Sequence, residues 1–488
     1  MRELHTRPGI RSLATAKSKR SERISVCRID NPTEGALFSR IYGSFALPNL
    51  SRIKTMAGGN LPLAAVAALA VAVFTGYINV GSMYRTLRIA GVLRTDVCTI
   101  ATEGLQVVQI PDTPYCEDLH HHSASDLLFA ACEGSRETRH SWFPALAIFD
   151  SASKAAQAPG TITVIDPKNR KAKPLRLEGF SGPFVTHGID IIDDPKTQPG
   201  TAIFIFAVNH RPHEAHDPLA PKADSVIELF HHTIGTNSAR HIRTIKHDLI
   251  QTPNDVLALT PTSFLVTNDH FYREGLMRVI EDVYSGATWS NTIYVAFETG
   301  KTEKDETAQV QANVALTGLH NNNGLGRGRT PEEVVLTSAA SGEVYFAELK
   351  RTAGQAALEI IDQFQADSTL DNPSYFVDPY ANRTFDASGF VLAGLSKGIN
   401  LAHNSRLIDA RDGVMVWHLQ NRSQDKAEGS QGTWEARLLL HDNADYIRTA
   451  SAAVLVPMDP ARSNGQRQAW LFVTGFMSKN MLAVKIGL

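Results

Sequence analysis

Cysteine is scarce in this chain: Cys27, Cys98, Cys116 and Cys132 are the only four in 488 residues, and no CxxC pair occurs. That excludes a secreted disulfide framework and weakens any zinc-ribbon or thioredoxin-like reading. One bridge among Cys98, Cys116 and Cys132 stays open. Strong net charge is lacking too, and a formal balance of −2 argues against a general nucleic-acid binder. Convincing amphipathic helices are few, the best lying in the loop-like stretch near 90–97.

One segment lacks charge altogether. No Asp, Glu, Lys or Arg occurs from Thr55 to Tyr84, and its middle reads LPLAAVAALAVAVFTGYINV. About 20 apolar residues suffice to cross a bilayer as a helix, so residues 56–95 are expected to be a transmembrane or signal-anchor segment with its juxtamembrane stretch. The preceding 1–55 carry eleven Lys/Arg against four Asp/Glu and no apolar periodicity, which reads as a basic leader without fixed structure. The positive-inside tendency then puts the remaining chain in the lumen, or outside the cell if the segment is cleaved. The triplets Asn382-Arg383-Thr384 and Asn421-Arg422-Ser423 fit a glycosylating compartment.

Beyond residue 96 the pattern is short apolar runs between turn signals: TAIFIFAVNH, SVIELFHH, DVLALT, SFLVTND, EVYFAELK, GFVLAGL, GVMVWHL and AWLFVTGF. Such spacing predicts an all-β sandwich or propeller. At about 40–45 residues per blade, roughly 390 residues would supply six blades with insertions. No repeated signature is visible by eye.

Acidic and amide residues recur beside these runs: Glu117-Asp118, Asn254-Asp255, Asn323 and Asp371-Asn372. Each pair alone reads as a turn or cap. Together they are a candidate set of hard oxygen donors, six to eight of which calcium requires. Spacing cannot assemble the set, because its members are far apart in the chain. The run His120-His121-His122 reads as a solvated loop, and Asn268-Asp269 as a turn positioning His270.

The order CEDL, HGID…AVNH, TPNDVLALTPTSFLVTNDHF, NNGL…VYFAEL and LDNPSYFVDP resembles the serum paraoxonase/arylesterase family, from about Cys116 to the C-terminus. The resemblance implies a six-bladed β-propeller over 96–488 with two calcium ions in a central tunnel, hydrolysing lactones and aryl esters. By motif, Glu117, Asn254, Asn323, Asp371 and Asn372 would hold the catalytic ion. Asp118, Asp255 and the carbonyl of Ile189 would hold the structural one. The resemblance makes His187 and His210 a dyad that activates water, with Asp371 the alternative base or nucleophile.

The chain departs from the family where no cysteine follows Cys132, so the family's terminal disulfide is absent. The loop RPHEAHDPLAPKAD, where an active-site lid is expected, is longer than usual, and Leu395 or a neighbour replaces a tunnel histidine. The expected partners are a small lactone or ester and, through the N-terminal helix, a membrane. A non-catalytic, calcium-stabilised propeller scaffold is the alternative. A strictosidine-synthase-like condensation is disfavoured by the double ligand set.

Overall fold

The computed structural model describes residues 84–95, 106–213, 220–298, 305–421 and 434–488. The basic leader and the uncharged run that was expected to cross a membrane lie outside them. Among the described residues no helix is long and apolar enough to cross a membrane. The juxtamembrane stretch is helical over 84–89 rather than near 90–97. It lies on the rest of the fold through buried Ile89 and through Arg88 Nε, which donates to Asp367 at 2.8 Å.

Six antiparallel sheets follow one another around a ring. Their innermost strands are Cys116–His122, Thr186–Asp193, Pro253–Thr260, Asn322–Arg327, Pro373–Phe376 and Ala450–Pro457. Each innermost strand packs against the next, and the sixth returns to the first. Five blades run outward in chain order; the second also takes Arg176–Glu178 as a parallel outer strand. In the sixth blade the N-terminal strand Val107–Ile110 pairs antiparallel with Met481–Gly487, so the two ends of the propeller close on each other. The expected all-β, six-bladed propeller is the arrangement observed among the described residues from 106 onward.

The apolar residues explain why the sheets stack as blades. Six of the clusters of buried apolar side chains each span two neighbouring blades. Phe206, Ile227 and Leu229 of the second blade meet Val256, Phe264 and Ile293 of the third, for example. A central strand is buried on both faces, so it reads as a continuous apolar run, which is why TAIFIFAVNH lacks alternation. The twist of each sheet leaves the six inner strands around a common axis.

Candidate functional site in the propeller centre

Every innermost strand brings polar residues to its N-terminal end. Glu117-Asp118, His187–Ile189, Asn254-Asp255 and Asn323 occupy early positions in their strands, and Asp371-Asn372 immediately precede the fifth. Strand pairing slips at these places: between Cys116 and Asp118, Pro253 and Val256, and Asn322 and Leu325, and opposite His187 between Ala207 and Asn209. A bulge unpairs a residue and re-aims its side chain, so consecutive residues both serve the interior instead of alternating. Gly188 and Gly324 permit the close approach. A Cβ on Gly188 would lie 2.6 Å from the Asn254 carbonyl, and one on Gly324 would lie 2.7 Å from the Asp371 carbonyl.

Hydroxyls hold the backbone of these residues. Thr267 donates to the Asn323 carbonyl at 2.5 Å, Thr337 to that of Asp371 at 2.7 Å, and Thr474 to that of Glu117 at 3.1 Å. Each hydroxyl comes from the second strand of the preceding blade.

The side chains form two sets. In the first, Asn372 Nδ2 donates to Glu117 Oε1 at 3.0 Å and Asn254 Nδ2 to Asp269 Oδ2 at 3.4 Å. Glu117 Oε2, Asn254 Oδ1, Asn323 Oδ1, Asp371 Oδ1 and Asn372 Oδ1 are buried with no hydrogen-bond partner. Unpaired buried oxygens are costly, and here five come from one predicted ligand set. Burial, with repulsion from Asp371, Asp118 and Asp255, pushes the Glu117 carboxyl well above its ordinary range. Asp371 is raised well above its range by burial and by Asp118 and Asp269. Two carboxylates and three amides are hard donors of the kind calcium takes, so the residues fit such an ion. Among the described residues no three His, Cys, Asp or Glu side chains gather as a metal-binding group; amide oxygens are indispensable to this set.

In the second set every carboxylate oxygen is already engaged. Asp118 accepts from the Leu119 and Ile189 amides at 2.7 and 2.8 Å, and Asp255 from those of Val256 and Leu325, both at 2.7 Å. Asp190 accepts from the Ile191 and Ala258 amides at 2.8 and 2.7 Å. These carboxylates stitch blade one to two, two to three and three to four. His120, expected in a solvated loop, instead lies on the innermost strand Cys116–His122 with Nε2 3.1 Å from Asp118. The tertiary pairing of CEDLHHH with LLFAAC overrides its polar composition.

His187 and His210 are brought together, Nδ1 to Nε2, at 2.9 Å. His210 Nδ1 lies 2.8 Å from Ser225 Oγ, and His187 Nε2 lies 3.7 Å from Glu117 Oε1. Burial holds His210 down at about 4, and burial plus the neighbouring His210 holds His187 well below the usual imidazole range. His210 lines a small pocket with Phe149, Lys222, Ser225, Thr252, Asp269 and Arg273 on its walls. Lys222 belongs to the lengthened loop expected beside the site.

Phe143 and Arg139 carried no distinguishing sequence signal. Phe143 packs edge-on against His187 at 5.1 Å. Buried Arg139 donates to the Thr186 and Tyr115 carbonyls at 3.2 and 3.3 Å, just ahead of His187 and Glu117. Asn268 ties Gln251, Thr252, Leu249 and Asn291 together, while Asp269 sits 3.0 Å from His270 Nδ1. Cys116 and Cys132 form a disulfide across the first two strands of blade one, which selects one of the bridges left open.

The fold and these residues define a six-bladed propeller with a buried carboxylate, amide and imidazole centre. The family model described as Arylesterase matches residues 143–381. Serum paraoxonase/arylesterase 2 of Gallus gallus is 39% identical over 147 residues, 29% of this chain and 37% of that protein. The Rattus norvegicus protein of the same name is 28% identical over 242 residues, 49% of this chain and 58% of its own. The chain thus matches well under two thirds of the length of these curated relatives. Residues 143–381 thus match the arylesterase family model, and the chain is similar to serum paraoxonase/arylesterase proteins over part of its length. Among solved structures, a gluconolactonase from Xanthomonas campestris is similar at TM-score 0.38 and 12% identity, over 78% of this chain and 89% of that one.

Proposed function

We propose that this protein is a calcium-dependent hydrolase of lactones or aryl esters, acting in the secretory pathway on a membrane anchor or as a secreted protein. The observation that carries the reading is the set of five unpaired oxygens on Glu117, Asn254, Asn323, Asp371 and Asn372, beside a contacting pair of buried histidines. The names of the relatives, paraoxonase and arylesterase, support the substrate class.

Calcium held by those residues would supply Lewis-acid stabilisation of charge developing on the substrate carbonyl oxygen. Burial keeps both imidazoles neutral and therefore able to accept a proton. In the reactive tautomer His187 carries its proton on Nδ1, donating to His210 Nε2, and His210 Nδ1–H donates to Ser225 Oγ. His187 Nε2 is then free to take a proton from water as that water attacks the ester carbon. Asp269 and a hydrogen bond to Pro253 favour the imidazolium so formed. Asp371 is the competing base or nucleophile.

Metal analysis followed by a panel of lactones and aryl esters, with and without chelator, tests the reading. Turnover that stops on chelation and returns with calcium is expected. Turnover indifferent to chelator would overturn the mechanism, and calcium binding without turnover on any substrate would favour the scaffold.

A further inference from the structure

The small pocket beside His210 adjoins the candidate site. His210, Pro253 and Asp269 all line it. His210 Nε2 stands 2.9 Å from His187 Nδ1, Pro253 immediately precedes Asn254, and Asp269 accepts from Asn254 Nδ2 at 3.4 Å. A substrate held at Asn254 and His187 therefore has this pocket next to it. Two cations stand on the same walls, Lys222 and Arg273.

The charges around the pocket are not equally answered. Asp269 is held by His270, whose Nδ1 stands 3.0 Å away. Lys222 pairs with Glu274 and lies over the Phe149 ring at 5.3 Å. Nearby Asp224 is taken by Arg211 and Lys246 at 2.8 and 2.7 Å. Arg273 differs. It is half-buried, and its Nε donates to the Gln251 carbonyl at 3.0 Å. Among the described residues no carboxylate pairs with it, and no hydrogen bond engages Nη1 or Nη2. Burial pulls its guanidinium below the ordinary range, and the charge of the already shared Asp224 offsets only part of this. A desolvated charge is costly without a partner. The two free Nη groups form a planar fork, which matches the two oxygens of a carboxylate.

We propose that Arg273 selects substrates with a carboxylate close to the reacting carbonyl, so that the protein favours acidic lactones or esters over neutral ones. This deepens the hydrolase reading and rests on it. The ester group sits at the calcium ligands and His187, while the carboxylate reaches past His210 to the two Nη groups. Lys222 adds a second positive charge to the same wall. The pocket is small, which suits a carboxylate end group and not a long acyl chain. A site built to pair a polar group discriminates against the analogue that lacks it.

The test compares kcat/KM of the full-length, calcium-loaded protein on two γ-butyrolactones of equal size, one bearing a γ-carboxylate and the other the γ-carboxamide. The wild type should favour the acid by about 10- to 100-fold, the usual worth of a hydrogen bond to a charged group. The ratio should fall to near one in Arg273→Met and reverse in Arg273→Glu. Arg273→Lys should keep part of it, because it holds the charge without the fork. If Arg273→Met does not fold, Arg273→Gln, which keeps a donor for the Gln251 carbonyl, replaces it. A wild-type ratio at or below one would overturn the proposal. So would a preference undiminished in the variant, which would place the carboxylate on the calcium or on Lys222. If the wild type hydrolyses neither lactone, the hydrolase reading fails, and calorimetric binding of glutarate decides the pocket. Binding weakened by about 10-fold or more in Arg273→Met supports an acid-binding Arg273; no binding, or equal binding in both, rejects it.

Discussion

His187 Nδ1 and His210 Nε2 stand 2.9 Å apart with both rings buried, so a single proton occupies the space between them. Burial depresses His210 to about 4 against an ordinary imidazole near 6.5. For the proposed hydrolase, kcat/KM should therefore hold as pH falls through 6.5 and drop only toward about 4. A pH–rate profile on one lactone checks this, and an acid limb near 6.5 would exclude the dyad as the titrating base. His187→Gln should lower kcat by about 10²- to 10⁴-fold, the usual worth of a general base.

Asn254→Ala removes an oxygen that has no partner within the protein. Losing a residue that merely orients a metal ligand costs about 10- to 100-fold in affinity, so losing a ligand should weaken calcium binding at least that much. Turnover should fall in parallel and recover partly at high calcium. Unchanged affinity in a calorimetric titration would remove Asn254 from the ligand set.

Glu133 is buried, and burial raises its carboxyl to about 7, with Arg139 offsetting only part of the cost. A carboxyl raised on folding favours the protonated folded state, so its contribution is full below about pH 4.5 and is lost as pH climbs to about 7. Glu133→Gln abolishes the loss. Measured by denaturant unfolding at constant saturating calcium, the variant should gain stability relative to wild type between those limits, on the order of 3 kcal/mol at most. A difference that stays flat with pH would reject the assignment.

The Cys116–Cys132 bridge joins two residues 16 apart and lies immediately before both Glu117 and Glu133. Closing a loop of that size contributes about 3 kcal/mol in the chain-entropy account. Reduction, or the double change Cys116→Ser and Cys132→Ser, should lower the denaturation midpoint accordingly. Because Glu117 follows the bridge directly, calcium affinity should weaken as well. A variant with wild-type stability and affinity would show that the cross-strand pairing suffices alone.

Local sequence conveys some features of this protein and hides others. The hairpin around Pro261 was legible because two β-branched runs flank a turn residue, and the structure has strands Pro253–Thr260 and Ser263–Asn268 there. Glu117, Asn254 and Asp371 could be singled out only by resemblance, since each alone looks like turn chemistry. The His120 run was misread because a bulged inner strand beside a polar centre loses the period-two pattern that identifies strands. The contact between Asp190 and Arg327 went unnoticed for a different reason: 137 residues separate them, and no spacing rule spans blades.

By itself the sequence determined an all-β chain with short strands, because β-branched and aromatic runs between turn residues have few other ways to satisfy their backbone. It also determined which oxygen and imidazole groups are present at strand starts. Tertiary structure alone decided which of them meet. Closing the ring brings six strand ends to one axis, and bulges turn neighbouring side chains inward together. Whether a carboxylate then faces an amide, a guanidinium or an unpaired oxygen depends on which blade stands beside it.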